Sequence, residues 1–311
     1  MLEKLAKVSE ISREEWLDYR REGIGGSEAA IIVGLNRFGS PLQLWADKMG
    51  LRKELEETEV MRQGSDLEEY VARRWMEATG KKVRRRNYIF RNTDYPHSIA
   101  DIDREVVGEN AGLECKTTSL YNKSDFENGE IPPTYYVQCQ HYMAVMGYDR
   151  MYLAVLVLSK AFYHFCIERD NGEIASLMEK ESAWWEEYVA GDSVPEPDGS
   201  DGDDALIRDR FPDSDGGEVF LGMRTQDFEE LSELDRQIKE LTIRRDACKQ
   251  AIMQDMGEAS KASALNGWTA TWKQQLTTRF DSKALKTDHP ELYQKYARAS
   301  DTRVFRYKKE K

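Results

Sequence analysis

Glu114 and Lys116 stand two residues apart in the run Gly112-Leu113-Glu114-Cys115-Lys116, within a segment that otherwise reads as a strand. Side chains alternate across a strand, so this carboxylate and this ammonium share one face while Leu113, Cys115 and Thr117 pack behind. Upstream of the short connection at 108–112 lie Asp101 and Asp103, and a hairpin turning there sets their strand alongside Glu114. Two carboxylates and an ammonium on one sheet face are costly to assemble unless something binds there. A divalent cation and a phosphate are the natural guests, and this points to metal-dependent cleavage of a nucleic-acid backbone. Asp103 and Glu114 would hold Mg²⁺, or Mn²⁺ in its place, with the Cys115 carbonyl as a third ligand. Lys116 would orient or deprotonate the attacking water and balance charge at phosphorus. Asp101 shares the strand face of Asp103, so spacing does not choose between them.

Three further groups gather around this core. Glu68 falls on the inner stripe of a predicted helix with Val71, Ala72 and Trp75, which makes it another metal-site carboxylate, whereas Glu69 points away toward Arg73. Gln138 and Tyr142 lie one helical turn apart, and an amide and a phenol on one face can hold the water or the scissile phosphate in line. Arg20 precedes Gly25-Gly26-Ser27, where glycine permits close backbone approach, Ser27 offers a hydroxyl and a helix start offers N–H groups to an anion. This is not a Walker A loop, since no Gly-Lys-Ser/Thr follows. A terminal DNA phosphate clamped by Arg20 fits it better than a nucleotide does. The block Lys81-Lys82-Val83-Arg84-Arg85-Arg86 would meet the DNA backbone, and His97, His141, His164 and His289 lack ligand spacing and read as structural.

These groups need an α/β scaffold. Ser12 is positioned to cap a helix carrying Trp16 and Tyr19, and Ser27 to cap the next. Helices are expected over 41–49, 66–79 (closed by Gly80), 135–146 (opened by Pro132-Pro133) and 173–189. Strands are expected over 83–90, 98–107, 111–118, 151–158 and 162–168. The stretch Asp192 to Asp204 reads as a linker or long surface loop. Beyond it, Leu231, Leu234, Ile238, Leu241, Cys248 and Ile252 follow a three-four spacing, a short coiled-coil signal. Asn266-Gly267 marks a hairpin, and a small helix after Asp281 and a basic strand over 303–308 finish the chain. The division is therefore 1–205 for the α/β domain, 206–260 for a helical segment and 261–311 for a small α+β module.

At 311 residues, with 40% hydrophobic and 33% charged side chains, the chain suits a folded domain plus an appendage. The longest apolar run, Tyr152 to Leu158, is too short to span a bilayer, and the charged N-terminus lacks an apolar signal segment. Four scattered cysteines suit a reducing cytosol. A net charge of −12 argues by itself against nucleic acid, but the charge near a site matters more than the total.

The order Arg20, Gly-Ile-Gly-Gly-Ser27, Gly64-x-x-x-Glu68, Asp103, Glu114-Cys115-Lys116 and Gln138-x-x-x-Tyr142 resembles the YqaJ-type phage recombinase exonucleases. These are relatives of lambda exonuclease in the PD-(D/E)XK nuclease superfamily, and the resemblance covers roughly residues 16 to 168. It implies a restriction-endonuclease-like core, a mixed sheet flanked by helices, and Mg²⁺-dependent 5′→3′ digestion of duplex DNA ends. It also implies a ring-shaped homo-oligomer, a trimer ahead of a tetramer, and a partner that anneals the exposed single strand, all in a bacterial cytoplasm. Carried across position by position, Glu68, Asp103 and Glu114 are the acidic metal-site residues, Lys116 the catalytic lysine and Gln138 its supporting amide. Arg20, Gly26 and Ser27 form the 5′-phosphate pocket. One departure stands out, because Ile102-Asp103-Arg104 replaces the family's Pro-Asp-Gly-like motif. A structure-selective endonuclease on the same core and a non-catalytic DNA-end scaffold are the rival readings.

Overall fold

The computed structural model describes residues 1–36, 39–52, 58–119, 125–126, 129–299 and 302–309. Its chain divides into two compact units, Met1–Phe211 and Pro212–Lys311.

The first unit is built on a five-stranded sheet of order β2-β5-β6-β7-β8, comprising β2 (Val83–Arg84), β5 (Arg104–Val106), β6 (Ala111–Thr118), β7 (Arg150–Val157) and β8 (Ala161–Glu168). The β6–β7 pair is parallel and sets Glu114 against Leu153; the other pairs are antiparallel, so the sheet is mixed. A second, three-stranded sheet orders β1 (Leu2–Lys7), β3 (Tyr88–Asn92) and β4 (Tyr95–Ala100). The long strands expected over 83–90 and 98–107 are each split between the two sheets. Asn87, at φ 44°, turns the first out of extended geometry, and Asp101-Ile102-Asp103 carries the second across. Strand β1 was not foreseen, because Leu-Glu-Lys-Leu-Ala-Lys lacks the apolar/polar alternation of a half-buried strand and none of its residues is fully buried.

Helices cover both faces of the larger sheet. Helix α4 (Glu59–Thr79) lays Val71, Ala72 and Trp75 on Leu113, Tyr152 and Ala154. Thr58 caps it, so it begins a full two turns before the expected residue 66. On the opposite face, α5 (Pro133–Met146) and α6 (Asn171–Trp184) pack Met143, Ile174 and Met178 with Leu153, Val155 and Phe90. Alternation along β6 therefore sends Leu113 toward α4 and Glu114 toward α5.

Helix α1 (Arg13–Arg21) carries the expected Ser12 cap, completed into a capping box by Glu15. Helix α2 (Gly26–Ile32) is capped differently from expectation. Gly25 is its N-cap and Ser27 lies inside the first turn, because the Glu28 carboxylate reaches back to the Gly25 N–H at 2.7 Å. Helix α3 (Pro41–Lys48) starts at Ser40. The stretch read as a linker instead contains α7 (Asp201–Arg210), capped by Ser200, with Leu206 packed among Leu42 and Trp45 and Asp203 hydrogen-bonded to Ser40. The boundary expected at 205 thus falls within a helix that belongs to the first unit.

In the second unit α8 (Thr225–Met256) runs 32 residues and leaves Leu234, Ile238, Leu241 and Ile252 exposed. The hairpin β9 (Lys261–Ser263) and β10 (Thr269–Thr271) turns at Asn266 and Gly267, both with positive φ as a primed turn requires. Helices α9 (Ser282–Asp288) and α10 (Pro290–Tyr296) follow, the second unforeseen. Residues 303–308 form no strand among those described.

A buried ion pair ties α5 to its surroundings. His141, fully buried, places Nδ1 2.8 Å from Glu181 on α6 and Nε2 2.9 Å from the Ile99 carbonyl. Both partners are acceptors, so both ring nitrogens must donate and the imidazole is charged. Burial lowers its pKa, but Glu181 outweighs that and raises it. Ser98 donates to the other Glu181 oxygen at 2.6 Å. Glu181→Ala leaves this imidazolium buried without its counter-charge and should cost about 3–5 kcal/mol of unfolding free energy, read from urea denaturation.

Candidate active site

Four elements converge on the α5 side of β6. Lys116 Nζ lies 2.6 Å from Glu114 Oε1, as expected for side chains that share a strand face. Gln138 of α5 donates its amide to the same Glu114 oxygen at 2.7 Å, and that amide also lies 3.1 Å from the Tyr142 hydroxyl. The second Glu114 oxygen, Oε2, is buried and has no hydrogen-bond partner. The sheet crossover brings in the acidic pair. Asp103 accepts from the Cys115 N–H at 2.7 Å, which places its carboxylate directly beside Glu114, while Asp101 accepts from the Trp16 indole at 3.0 Å.

The electrostatics follow from this crowding. Burial, then the charges of Glu114 and Glu68, push the Asp103 carboxyl well above its ordinary pKa, against the pull of Lys116 and the Cys115 N–H. Burial works against the Lys116 ammonium, but Glu114 and Asp103 overcome it and hold the group protonated. The Tyr142 phenol is also held protonated, by burial and then by the Glu114 charge.

Glu68 reaches the site from the other layer. Its helix α4 covers the Leu113 face, and its carboxylate is taken by Arg104, whose second nitrogen bonds Glu69 at 2.9 Å. Glu69 therefore pairs with Arg104 and Arg85, not with Arg73. Among the described residues no three His, Cys, Asp or Glu side chains close on one point as a finished ligand set, since Lys116 and Arg104 sit on two of the carboxylates. The donor set nevertheless fits a hard divalent cation. One buried carboxylate oxygen is left without a partner, and the ionised form of the neighbouring Asp103 is disfavoured by burial and then by the charges of Glu114 and Glu68.

A cleft of about 220 Å³ opens here between Trp16, Arg20, Ser27, Asp101, Glu114 and Lys116. Arg20 lies over the Trp16 ring at 5.1 Å and pairs with Glu28 at 2.6 Å. Lys48, almost wholly buried, binds Glu28 at 2.6 Å and the Arg20 and Gly23 carbonyls at 2.6 and 2.7 Å. Sequence reasoning passed over both Glu28 and Lys48. The signal for Glu28 was its place three residues after Gly25, the N3 position of a capping box; Lys48 left none. Gly26 serves packing: a Cβ there would lie 2.6 Å from the Tyr142 ring and 3.1 Å from Gln138 Cγ, so its absence lets α2 and α5 meet.

The basic block lies apart from this cleft and is largely matched by acids of its own unit. Lys81 pairs with Glu109, Arg84 and Arg86 with Glu105, and Arg85 with Glu69. Among the described residues no helix is long and apolar enough to cross a membrane.

The family model described as "YqaJ-like viral recombinase domain" matches residues 15–149, the span that holds every residue of this cleft. A Bacillus subtilis (strain 168) protein, "Uncharacterized protein YqaJ", is 38% identical over 315 residues, covering 97% of this chain and 96% of its own. The chain belongs to the YqaJ-like viral recombinase family. Its fold is shared with a solved exonuclease. LHK-Exo in complex with dAMP aligns with TM-score 0.50 and 22% identity over 57% of this chain and 93% of that one. A second structure of LHK-Exo, an alkaline exonuclease from Laribacter hongkongensis, aligns with TM-score 0.49 at the same identity and coverage. The span matched by the family model lies wholly within the first unit.

Two outcomes follow from this geometry. Gly26→Ala should displace Tyr142 and Gln138, lowering nuclease turnover more than it lowers the melting temperature. Burial raises the Glu28 pKa, but Arg20, Lys48 and the Gly25 N–H outweigh it and bring the group from 4.5 to about 2. A depressed carboxylate pKa stabilises the fold above the unfolded value, and that stability is lost as pH falls through the folded one. Stability should therefore drop between pH 4.5 and about 2 by about 3 kcal/mol, and Glu28→Gln should flatten that part of the curve.

Proposed function

We propose that this protein is a Mg²⁺-dependent exonuclease that digests duplex DNA ends 5′→3′ and leaves single strands for annealing-type phage recombination. The observation that carries this reading is the unpartnered buried Oε2 of Glu114, set beside Asp103 and Lys116. Family membership and the exonuclease fold support it.

Asp103, Glu114 and the Cys115 carbonyl would hold Mg²⁺, with Mn²⁺ as a substitute and Glu68 and Asp101 as outlying carboxylates. The bound ion supplies Lewis acidity toward a phosphate oxygen and lowers the pKa of water. The protein's own groups do the positioning. Lys116, paired with Glu114 at 2.6 Å, would place its positive charge against the oxygens of the reacting phosphate and orient the attacking water. Gln138 fixes the Glu114 carboxylate through Oε1 and leaves Oε2 without a hydrogen-bond partner. Tyr142 sits against Gln138 and restricts that amide's rotation.

Arg20 and Ser27 line the same cleft as Glu114 and Lys116, with Gly26 between them in sequence, and we assign them the terminal 5′-phosphate. Glu28 aims the guanidinium and Trp16 supports its face, so Arg20 is held in place before substrate arrives. The block Lys81, Lys82, Arg84, Arg85 and Arg86 is assigned to the duplex backbone, where phosphates would exchange with the acids that now pair with it. A ring of three copies, or four, and a single-strand annealing protein complete the reading, with the exposed α8 stripe as support for association.

The deciding experiment follows a linear duplex labelled at either the 5′ or the 3′ terminus, with Mg²⁺ and with EDTA. Early release of the 5′ label, only with the metal, is the expected result. Cleavage of a covalently closed circle would overturn the exonuclease reading in favour of an endonuclease. Glu114→Gln and Lys116→Ala should each reduce digestion by at least about a hundredfold without unfolding the protein. Arg20→Gln should narrow the advantage of 5′-phosphorylated over 5′-hydroxyl ends.

A further inference from the structure

Net charge is divided sharply along this chain. Residues 261–311 hold twelve Lys and Arg against five Asp and Glu, a net of +7, which leaves −19 on residues 1–260. Seven aromatic residues lie among those cations, and the rings are unusually open: Trp268 and Phe280 are each 75% exposed, Phe305 73% and Tyr296 72%. Lys286 lies over the Tyr293 ring at 5.5 Å and Lys295 over Tyr296 at 5.4 Å. At the end of the chain, basic and aromatic residues interleave in Arg303-Val304-Phe305-Arg306-Tyr307-Lys308-Lys309, where Phe305 and Tyr307 stack with centroids 6.3 Å apart. The Tyr307 hydroxyl bonds Asp235 of α8, so this end of the chain is anchored to the unit's long helix.

Protein-binding surfaces are enriched in aromatic residues but depleted of lysine. Open rings set among lysines and arginines match a different ligand, one that offers flat apolar faces along a string of negative charges. A duplex hides its base faces in the stack; a single strand presents them. We propose that the basic and aromatic residues described between Lys261 and Lys309 form a binding surface for single-stranded DNA, phosphates meeting the cations and bases stacking on the exposed rings. This rests on the proposed exonuclease activity only for the source of the strand, since resection would generate it on the same protein.

Binding can be measured without hydrolysis and without ends. The full chain, in EDTA, is titrated against a fluorescent closed circle of single-stranded oligodeoxynucleotide, and anisotropy is read across a salt series. Trp268→Ala combined with Phe305→Ala should weaken binding by at least about tenfold. Arg279→Gln, Lys283→Gln and Arg306→Gln together should lower the slope of log Kd against log salt by about 2. Circular dichroism checks that each variant folds, and should the aromatic pair fail that check the surface-charge variant decides alone. Unchanged affinity and slope would overturn the proposal. So would variants that bind the circle normally but no longer hold an annealing protein, because the surface would then belong to a protein partner. Neither result bears on end digestion, which the labelled duplex tests separately.

Discussion

Negative charge held out of water is the constraint around which this fold is organised. Glu114 is buried at the centre of a sheet, Asp103 is pressed beside it by a backbone hydrogen bond, and Glu68 adds its field from the opposite layer. Each charge costs several kcal/mol to desolvate unless it is matched. The chain matches them incompletely. Lys116 and Gln138 satisfy one oxygen of Glu114, Arg104 takes Glu68, and the remainder appears as a raised Asp103 pKa and a bare Oε2. A structural salt-bridge network would have closed that remainder with one more arginine. Leaving it open keeps the cluster receptive to a hard cation, at the expense of stability.

Holding such a cluster in place takes rigidity from behind. Helix α5 supplies it, because one of its faces carries Gln138 and Tyr142 to the carboxylates while His141 is pinned to Glu181 and the Ile99 carbonyl. The same short stretch of β4 that accepts from His141 also pairs with Ile24, through bonds of 2.7 and 2.8 Å, and so delivers the Gly25 turn to the cleft. Lys48 then fastens that turn from below. The polar groups around the cleft are thus connected through two buried cations, His141 and Lys48, neither of which lines it. A charge buried behind a site restrains an element in direction as well as distance, which apolar packing alone does less well.

What could be read from the residues was whatever local periodicity encodes. The Glu114–Lys116 pair, the shared face of Gln138 and Tyr142, the Ser12 cap and the Asn266-Gly267 turn each depend on spacing within a few positions, and the structure has them as expected. Failures came where a distant partner decides. Strand β1 is too polar to announce itself and exists through its pairing with β3. The 98–107 strand looked continuous because alternation persists through Asp101-Ile102-Asp103, yet the chain changes sheets there. Acidic and glycine-rich residues disguised α7 as a linker, although Leu206 and Asp203 are buried against α3. Glu69 was given to Arg73 by helical spacing, and tertiary contact gave it to Arg85 and Arg104.

Charge shows the same contrast between local and global reading. A total of −12 argues against a polyanionic ligand, but the sum conceals −19 over residues 1–260 and +7 over residues 261–311. Even the dense run Lys81 to Arg86 is not a free basic patch, since Glu69, Glu105 and Glu109 sit among its side chains. Such pairing lowers the attraction for DNA without removing it: exposed ion pairs are worth little, and a phosphate can displace a carboxylate at small cost. The acidic surroundings repel a duplex that approaches at random, and a strand gains only where cations outnumber acids. On a screened surface that difference is felt within about 10 Å, the range at which a DNA backbone meets one segment of the protein and not its average.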